Sequence, residues 1–167
     1  MKEEVYIENL EELQKECLEF IKEKIDLDKS SFVWMDGFLE LPSLKKSIKP
    51  FEENIFGTVL NVALNKECDI HIDDGSSGWR YSFNIPIINC DDTFVYFYEC
   101  EGESTKKEDT KTFGAYQKFE QNECRLIETF ETNKPYILDT RVPHNFKTFN
   151  NKPRVMLLIR LKNTFGE

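Results

Sequence analysis

The chain has 167 residues, room for one domain at the usual ~100–200 residues, so one domain is expected, without a separate cofactor-binding module. At 40% hydrophobic and 32% charged, with 14 phenylalanines, it has the composition of a chain that buries a core and not of a disordered one. Lys and Arg number 22 against 31 Asp and Glu, and the net charge of −9 sets the protein against nucleic acid as a partner.

The N-terminus reads Met1-Lys2-Glu3-Glu4, without the apolar stretch of a signal peptide, and no apolar run reaches the ~18–20 residues of a membrane span. The expectation is a soluble, cytoplasmic protein. Five cysteines, Cys17, Cys68, Cys90, Cys100 and Cys124, are an odd number without CxxC spacing, so reduced, scattered thiols are expected in place of a disulfide framework or a cysteine zinc site. From Ile7 to Ile25, Leu10, Leu13, Cys17, Phe20, Ile21 and Ile25 recur at three- and four-residue steps among Glu and Lys, the pattern of an amphipathic helix with a solvated charged face. Asp28 to Ser31 reads as a turn. A second, shorter helix is expected from Pro42 through Ile48, stopping before Pro50.

After Phe56 the pattern changes to eight short apolar runs separated by turn residues, as in an all-β sandwich or barrel. They are 57–64, 68–72, 80–87, 93–99, 124–131, 136–139, 145–149 and 154–161, with turns at 65–67 and 89–92. The stretch 100–111 is charged and nearly free of apolar residues, and is expected to be a solvated hairpin tip or mobile loop. A single domain follows, with residues 1–55 as helical support and 56–162 as the β core.

Only two histidines exist. In His71-Ile72-Asp73 the imidazole and the carboxylate share one strand face, so both reach one metal ion. His144 follows Val142-Pro143. Two His and one carboxylate make the facial triad of non-haem iron(II), which leaves three adjacent coordination positions open. Arg154 comes ten residues after His144 at the head of an apolar strand, where a guanidinium can hold a carboxylate bidentately.

His71-x-Asp73, His144 and Arg154 together resemble the iron(II)- and 2-oxoglutarate-dependent dioxygenases. The resemblance spans roughly residues 56–161 and implies a mainly β fold, a double-stranded β-helix or jelly roll, with the N-terminal helices supporting its outer face. It implies that His71, Asp73 and His144 bind Fe(II), and that Arg154 pairs with the distal carboxylate of 2-oxoglutarate. O2 would be the second cosubstrate, succinate and CO2 the coproducts, and hydroxylation the outcome. The presence of Asp73 argues against halogenation. Asn61, ten residues before His71, is at a place where some relatives hydrogen-bond 2-oxoglutarate. Many relatives carry Ser or Thr two residues after the basic residue; here it is Met156, and Tyr81, Tyr96 and Tyr98 are candidates to complete the carboxylate seat, or else core aromatics.

Asp74 to Arg80 is a small-residue loop ending in Trp79-Arg80, with Trp79 and Arg80 as candidate substrate contacts. Aspartyl/asparaginyl hydroxylase-like relatives are similar in carrying an Arg soon after the first metal histidine, whereas in an acidic protein Arg80 also reads as one half of a surface ion pair. The expected substrate is a small molecule, an amino acid or a peptidyl side chain. The alternative is a catalytically degenerate jelly roll that binds a ligand or protein; a cupin-like metalloenzyme usually clusters more than two histidines.

Overall fold

The computed structural model describes residues 2–64, 67–73, 78–109 and 114–162. Along the chain run β1 (Lys2–Glu4), α1 (Leu10–Lys22), β2 (Ser31–Trp34), α2 (Pro42–Ile48), β3 (Ile55–Ala63), β4 (His71–Asp73), β5 (Tyr81–Ile88) and β6 (Thr93–Cys100). There follow β7 (Thr105–Asp109), β8 (Gly114–Lys118), β9 (Cys124–Glu131), β10 (Tyr136–Asp139), β11 (His144–Thr148) and β12 (Arg154–Leu161). Short 3₁₀ turns occupy Asp36–Glu40, Lys49–Asn54 and Gln121–Glu123.

The strands form two six-stranded antiparallel sheets, one ordered β1-β10-β5-β12-β3-β2 and the other β7-β8-β4-β11-β6-β9. The eight strands expected from the apolar runs are β3, β4, β5, β6, β9, β10, β11 and β12. The chain crosses between sheets from β3 to β4 to β5 to β6, and again from β9 to β10 to β11 to β12, which is the winding of a jelly roll.

Alternation along β12 shows how the layers hold. Val155, Leu157 and Ile159 face outward into a cluster with Leu13, Cys17 and Ile21 of α1. Met156 and Leu158 face inward, among Val95, Phe97 and Phe146. Leu157, like Leu13, is fully buried, and each such side chain contributes roughly 1.5–3 kcal/mol relative to exposure. α1 thus covers the outer face of the first sheet, and α2 starts with Pro42 in its first turn, where a missing N–H costs nothing.

Several expectations change. Residues 105–109 form the edge strand β7, paired with β8 from Thr105↔Lys118 to Asp109↔Gly114. Backbone hydrogen bonds suffice for this strand, and its Lys and Glu side chains discourage further pairing at the edge. The run 68–72 becomes a strand only at His71. Asp69 breaks the ladder because its carbonyl lies against His71 Nδ1 and its carboxylate takes Tyr116 Oη and Lys118 Nζ. Cys100 and Cys124 are opposite each other across β6 and β9 and form a disulfide, so the thiols are not all reduced; Cys17, Cys68 and Cys90 are free. Residues 65–66 of the expected turn, 74–77 of the small-residue loop and 110–111 of the expected charged loop lie outside the described residues. No helix among the described residues is long and apolar enough to cross a membrane.

Candidate functional site

β4 and β11 are antiparallel neighbours in register, with His71 opposite His144. The pairing sets both imidazoles on the inner face, their ring centroids 4.5 Å apart. Asp73, two residues on, points the same way, and one ligand atom each from His71, Asp73 and His144 lies within 4.8 Å of the others. The backbone around them is pinned: Asp73 N–H donates to Thr140 O at 3.0 Å, and Tyr98 N–H to Pro143 O at 2.8 Å.

The donor set fits a metal ion. His71 Nδ1 lies 2.7 Å from Asp69 O, and His144 Nδ1 2.7 Å from Val142 O. A carbonyl accepts only from N–H, so each Nδ1 carries the proton and each Nε2 keeps its lone pair for a metal. One Asp73 oxygen, Oδ2, accepts from Trp79 Nε1 at 2.8 Å and lies 3.3 Å from Arg160 Nη1, leaving Oδ1 for a ligand role. Burial pushes His144 down to about 4, with the neighbouring His71 adding to the effect. Burial also lowers His71, partly opposed by Asp73. For Asp73, burial acts upward, but Arg160, the two imidazoles and the Trp79 hydrogen bond outweigh it and hold the carboxyl below its ordinary value. At neutral pH the group is therefore two neutral imidazoles and one carboxylate, the protonation state in which all three can coordinate.

The same cleft is lined by Asn61, Asn84, Tyr136, Arg154 and Arg160. Arg154 is 4% exposed. Its Nη1 donates to Asn61 Oδ1 at 3.4 Å, and its guanidinium lies 4.7 Å from the centre of the Phe146 ring. Its Nε has no partner, and no carboxylate among the described residues pairs with it. Asn84 donates to Tyr136 Oη at 2.9 Å and accepts from Ser82, so a buried polar row joins β5 to β10 in the first sheet.

Of the candidates from sequence, His71, Asp73, His144, Arg154 and Asn61 all face this cleft. Trp79 reaches it through Asp73. Arg80 does not line it: Nη2 pairs with Asp139 Oδ2 at 3.1 Å, the ion-pair reading. The tyrosines considered for the carboxylate seat also point elsewhere. Tyr81 packs on the helix side beneath Arg80, Tyr96 lies beneath Lys147, and Tyr98 donates to Asn145. Tyr136 and Asn84 stand in the cleft instead. Arg160 was missed, although residues 154, 156, 158 and 160 share one face of β12 by strand parity.

No family model matches the chain, and no curated protein matches it. Solved structures do. One is an oxalate decarboxylase structure concerned with proton-coupled electron transfer (TM-score 0.39, 10% identity, 81% of this chain and 26% of that one). A second is the Bacillus subtilis oxalate decarboxylase at pH 4.6 (TM-score 0.40, 10% identity, 86% and 28%). A third is a hydroquinone 1,2-dioxygenase in complex with Cd2+ and 4-hydroxybenzonitrile (TM-score 0.31, 14% identity, 64% and 58%). The chain spans little more than a quarter of the decarboxylase chains it matches. At such scores the strand order above, and not the likeness, identifies the jelly roll.

Proposed function

We propose that the protein is a non-haem iron(II)- and 2-oxoglutarate-dependent dioxygenase that hydroxylates an amino acid, a peptidyl side chain or another small molecule. The observation that carries this reading is one cleft holding both the His71–Asp73–His144 group and Arg154, a buried guanidinium without a carboxylate partner among the described residues. A buried charge with no counter-ion costs several kcal/mol in ordinary folds, and an anionic ligand removes that cost when it binds.

His71 Nε2, His144 Nε2 and Asp73 Oδ1 would hold the metal, which supplies oxygen activation when bound. Arg154 would take the distal carboxylate of 2-oxoglutarate, with the Tyr136 hydroxyl and the Asn61 amide beside it in place of the hydroxyl absent at Met156. Pairing His71 and His144 on adjacent strands leaves the first sheet, with Arg154, as the opposite wall, so a ligand between the walls meets metal at one end and guanidinium at the other.

Titration with 2-oxoglutarate, using Mn(II) as a redox-quiet substitute for iron, tests the reading. Binding should require both the metal and Arg154: Arg154→Leu should weaken it at least about a hundredfold, as for a charge-assisted bidentate contact, while Mn(II) affinity persists. Binding of 2-oxoglutarate that ignores Arg154 would overturn the reading.

A further inference from the structure

The contacts that lead out of Asp73 continue past Trp79. The Trp79 ring lies 5.4 Å from Trp34 and 5.3 Å from Phe56, which are 6.0 Å from each other. Trp34 is 45% exposed and Phe56 43%. Exposed aromatic area of this size, next to a reactive cleft, is the composition of a contact surface.

The rings are seated on backbone that leaves room only for glycine. A Cβ at Gly57 would come within 2.8 Å of Trp34, and one at Gly78, whose φ is +91°, within 2.8 Å of Phe56. Phe56 is also the extra residue of a β-bulge, since Gly57 faces Arg160 while Ile55 faces Leu161. A bulge re-aims a side chain, and this one turns Phe56 out to the surface, beside Trp34 and Trp79.

Beyond Phe56 the surface continues as a groove beside α2. Leu39, Ile48 and Ile55 form its apolar floor, and Asp36, Glu40 and Glu52 its rim. Among the described residues the one lining cation, Lys45, lies 3.8 Å from Glu40, and Asp36 and Glu52 have no ion-pair partner. The groove is therefore apolar below and negative above, on a chain of net charge −9.

We propose that the groove and the Trp34–Phe56–Trp79 trio dock a peptide substrate, an extended segment in which basic side chains alternate with apolar ones. What happens at the metal rests on the dioxygenase reading, but the docking does not. Alternate side chains of an extended peptide point to opposite sides at about 3.3 Å per residue, so apolar ones descend to the floor while basic ones meet Asp36 and Glu52. A Lys or Arg that passes over Trp34 or Phe56 gains a cation–π contact as well. The end of the segment then lies at Trp79, whose Nε1 is hydrogen-bonded to Asp73.

The test uses the full-length, metal-free protein and a capped hexapeptide alternating lysine and leucine, with the same peptide carrying glutamate for lysine as control. Binding is read by tryptophan fluorescence. The lysine peptide should bind at least about tenfold more tightly than the control, lose about tenfold in the Asp36→Asn/Glu52→Gln double variant, and weaken with added salt. Its affinity should survive His144→Ala. Equal binding of the two peptides, or indifference to the double variant, would overturn the proposal, as would loss in His144→Ala, which would put the peptide in the metal cleft. Should docking fail while 2-oxoglutarate still binds through Arg154, the dioxygenase reading stands alone.

Discussion

Arg160 Nη1 lies 3.3 Å from Asp73 Oδ2, and both side chains are buried, at 6% and 8% residue exposure. The guanidinium also lies 5.3 Å from the centre of the Trp79 ring and 6.0 Å from that of Phe32. A cation from the opposite sheet thus holds the one carboxylate of the candidate metal group. Replacing Arg160 by Met leaves that carboxylate buried with less to balance it, which costs about 3 kcal/mol in metal-free protein. Saturating divalent metal should recover part of the loss, because the ion supplies positive charge at Asp73. Urea unfolding with and without metal measures this; a loss that metal leaves untouched contradicts it.

Arg154 should behave in the opposite way, although it shares the strand and the face. Without a carboxylate partner among the described residues, its burial is offset by Asn61 and the Phe146 ring. Arg154→Met is therefore expected to leave stability unchanged or to raise it by up to about 1 kcal/mol. The same denaturant titration decides: a loss as large as that of Arg160→Met would show Arg154 to be structural.

Trp79 Nε1 fixes the second oxygen of Asp73 at 2.8 Å. Trp79→Phe keeps a ring within the aromatic cluster and removes only the donor, so metal affinity should fall roughly tenfold, as is usual when a partner of a ligand is lost. Competition against a chromophoric chelator reads the affinity directly. Unchanged affinity would show that Arg160 orients Asp73 alone.

The metal-free protein should also lose stability in mild acid. His144 is held at about 4 by burial and by His71, against ~6.5 in an unfolded chain. Between those values the unfolded chain takes up a proton that the folded protein refuses, so the contribution is complete above about pH 6.5 and is lost as pH falls through about 4. His71 shifts in the same direction. The urea midpoint should drop between pH 7.5 and pH 5, and drop less in His144→Gln; an equal drop in both would assign the acid sensitivity elsewhere.

The jelly-roll strands were legible because each is a short apolar run bounded by turn residues, as Val155 to Leu161 is. Lys2–Glu4 and Thr105–Asp109 were not, since they are held by neighbours' backbone and carry no apolar pattern of their own. Ser31–Trp34 was hidden by the preceding turn. His71, Asp73 and His144 stood out because residue type and i,i+2 spacing already restrict where a strand can point them. Arg160 and Tyr136 did not, because an arginine near a strand end reads as a surface charge until the two sheets close over it. The disulfide escaped for a similar reason: only the pairing of β6 with β9 brings Cys100 to Cys124.

The most direct test is an anaerobic titration of metal-free protein with iron(II) and then 2-oxoglutarate, followed in the visible range for the charge-transfer band of a chelated 2-oxo acid. The account expects the band in the native protein, its loss with the metal site in Asp73→Ala, and its loss at moderate 2-oxoglutarate in Arg154→Leu. Iron binding without the band would contradict cosubstrate use, and failure to bind iron at all would make the protein a jelly-roll binding domain.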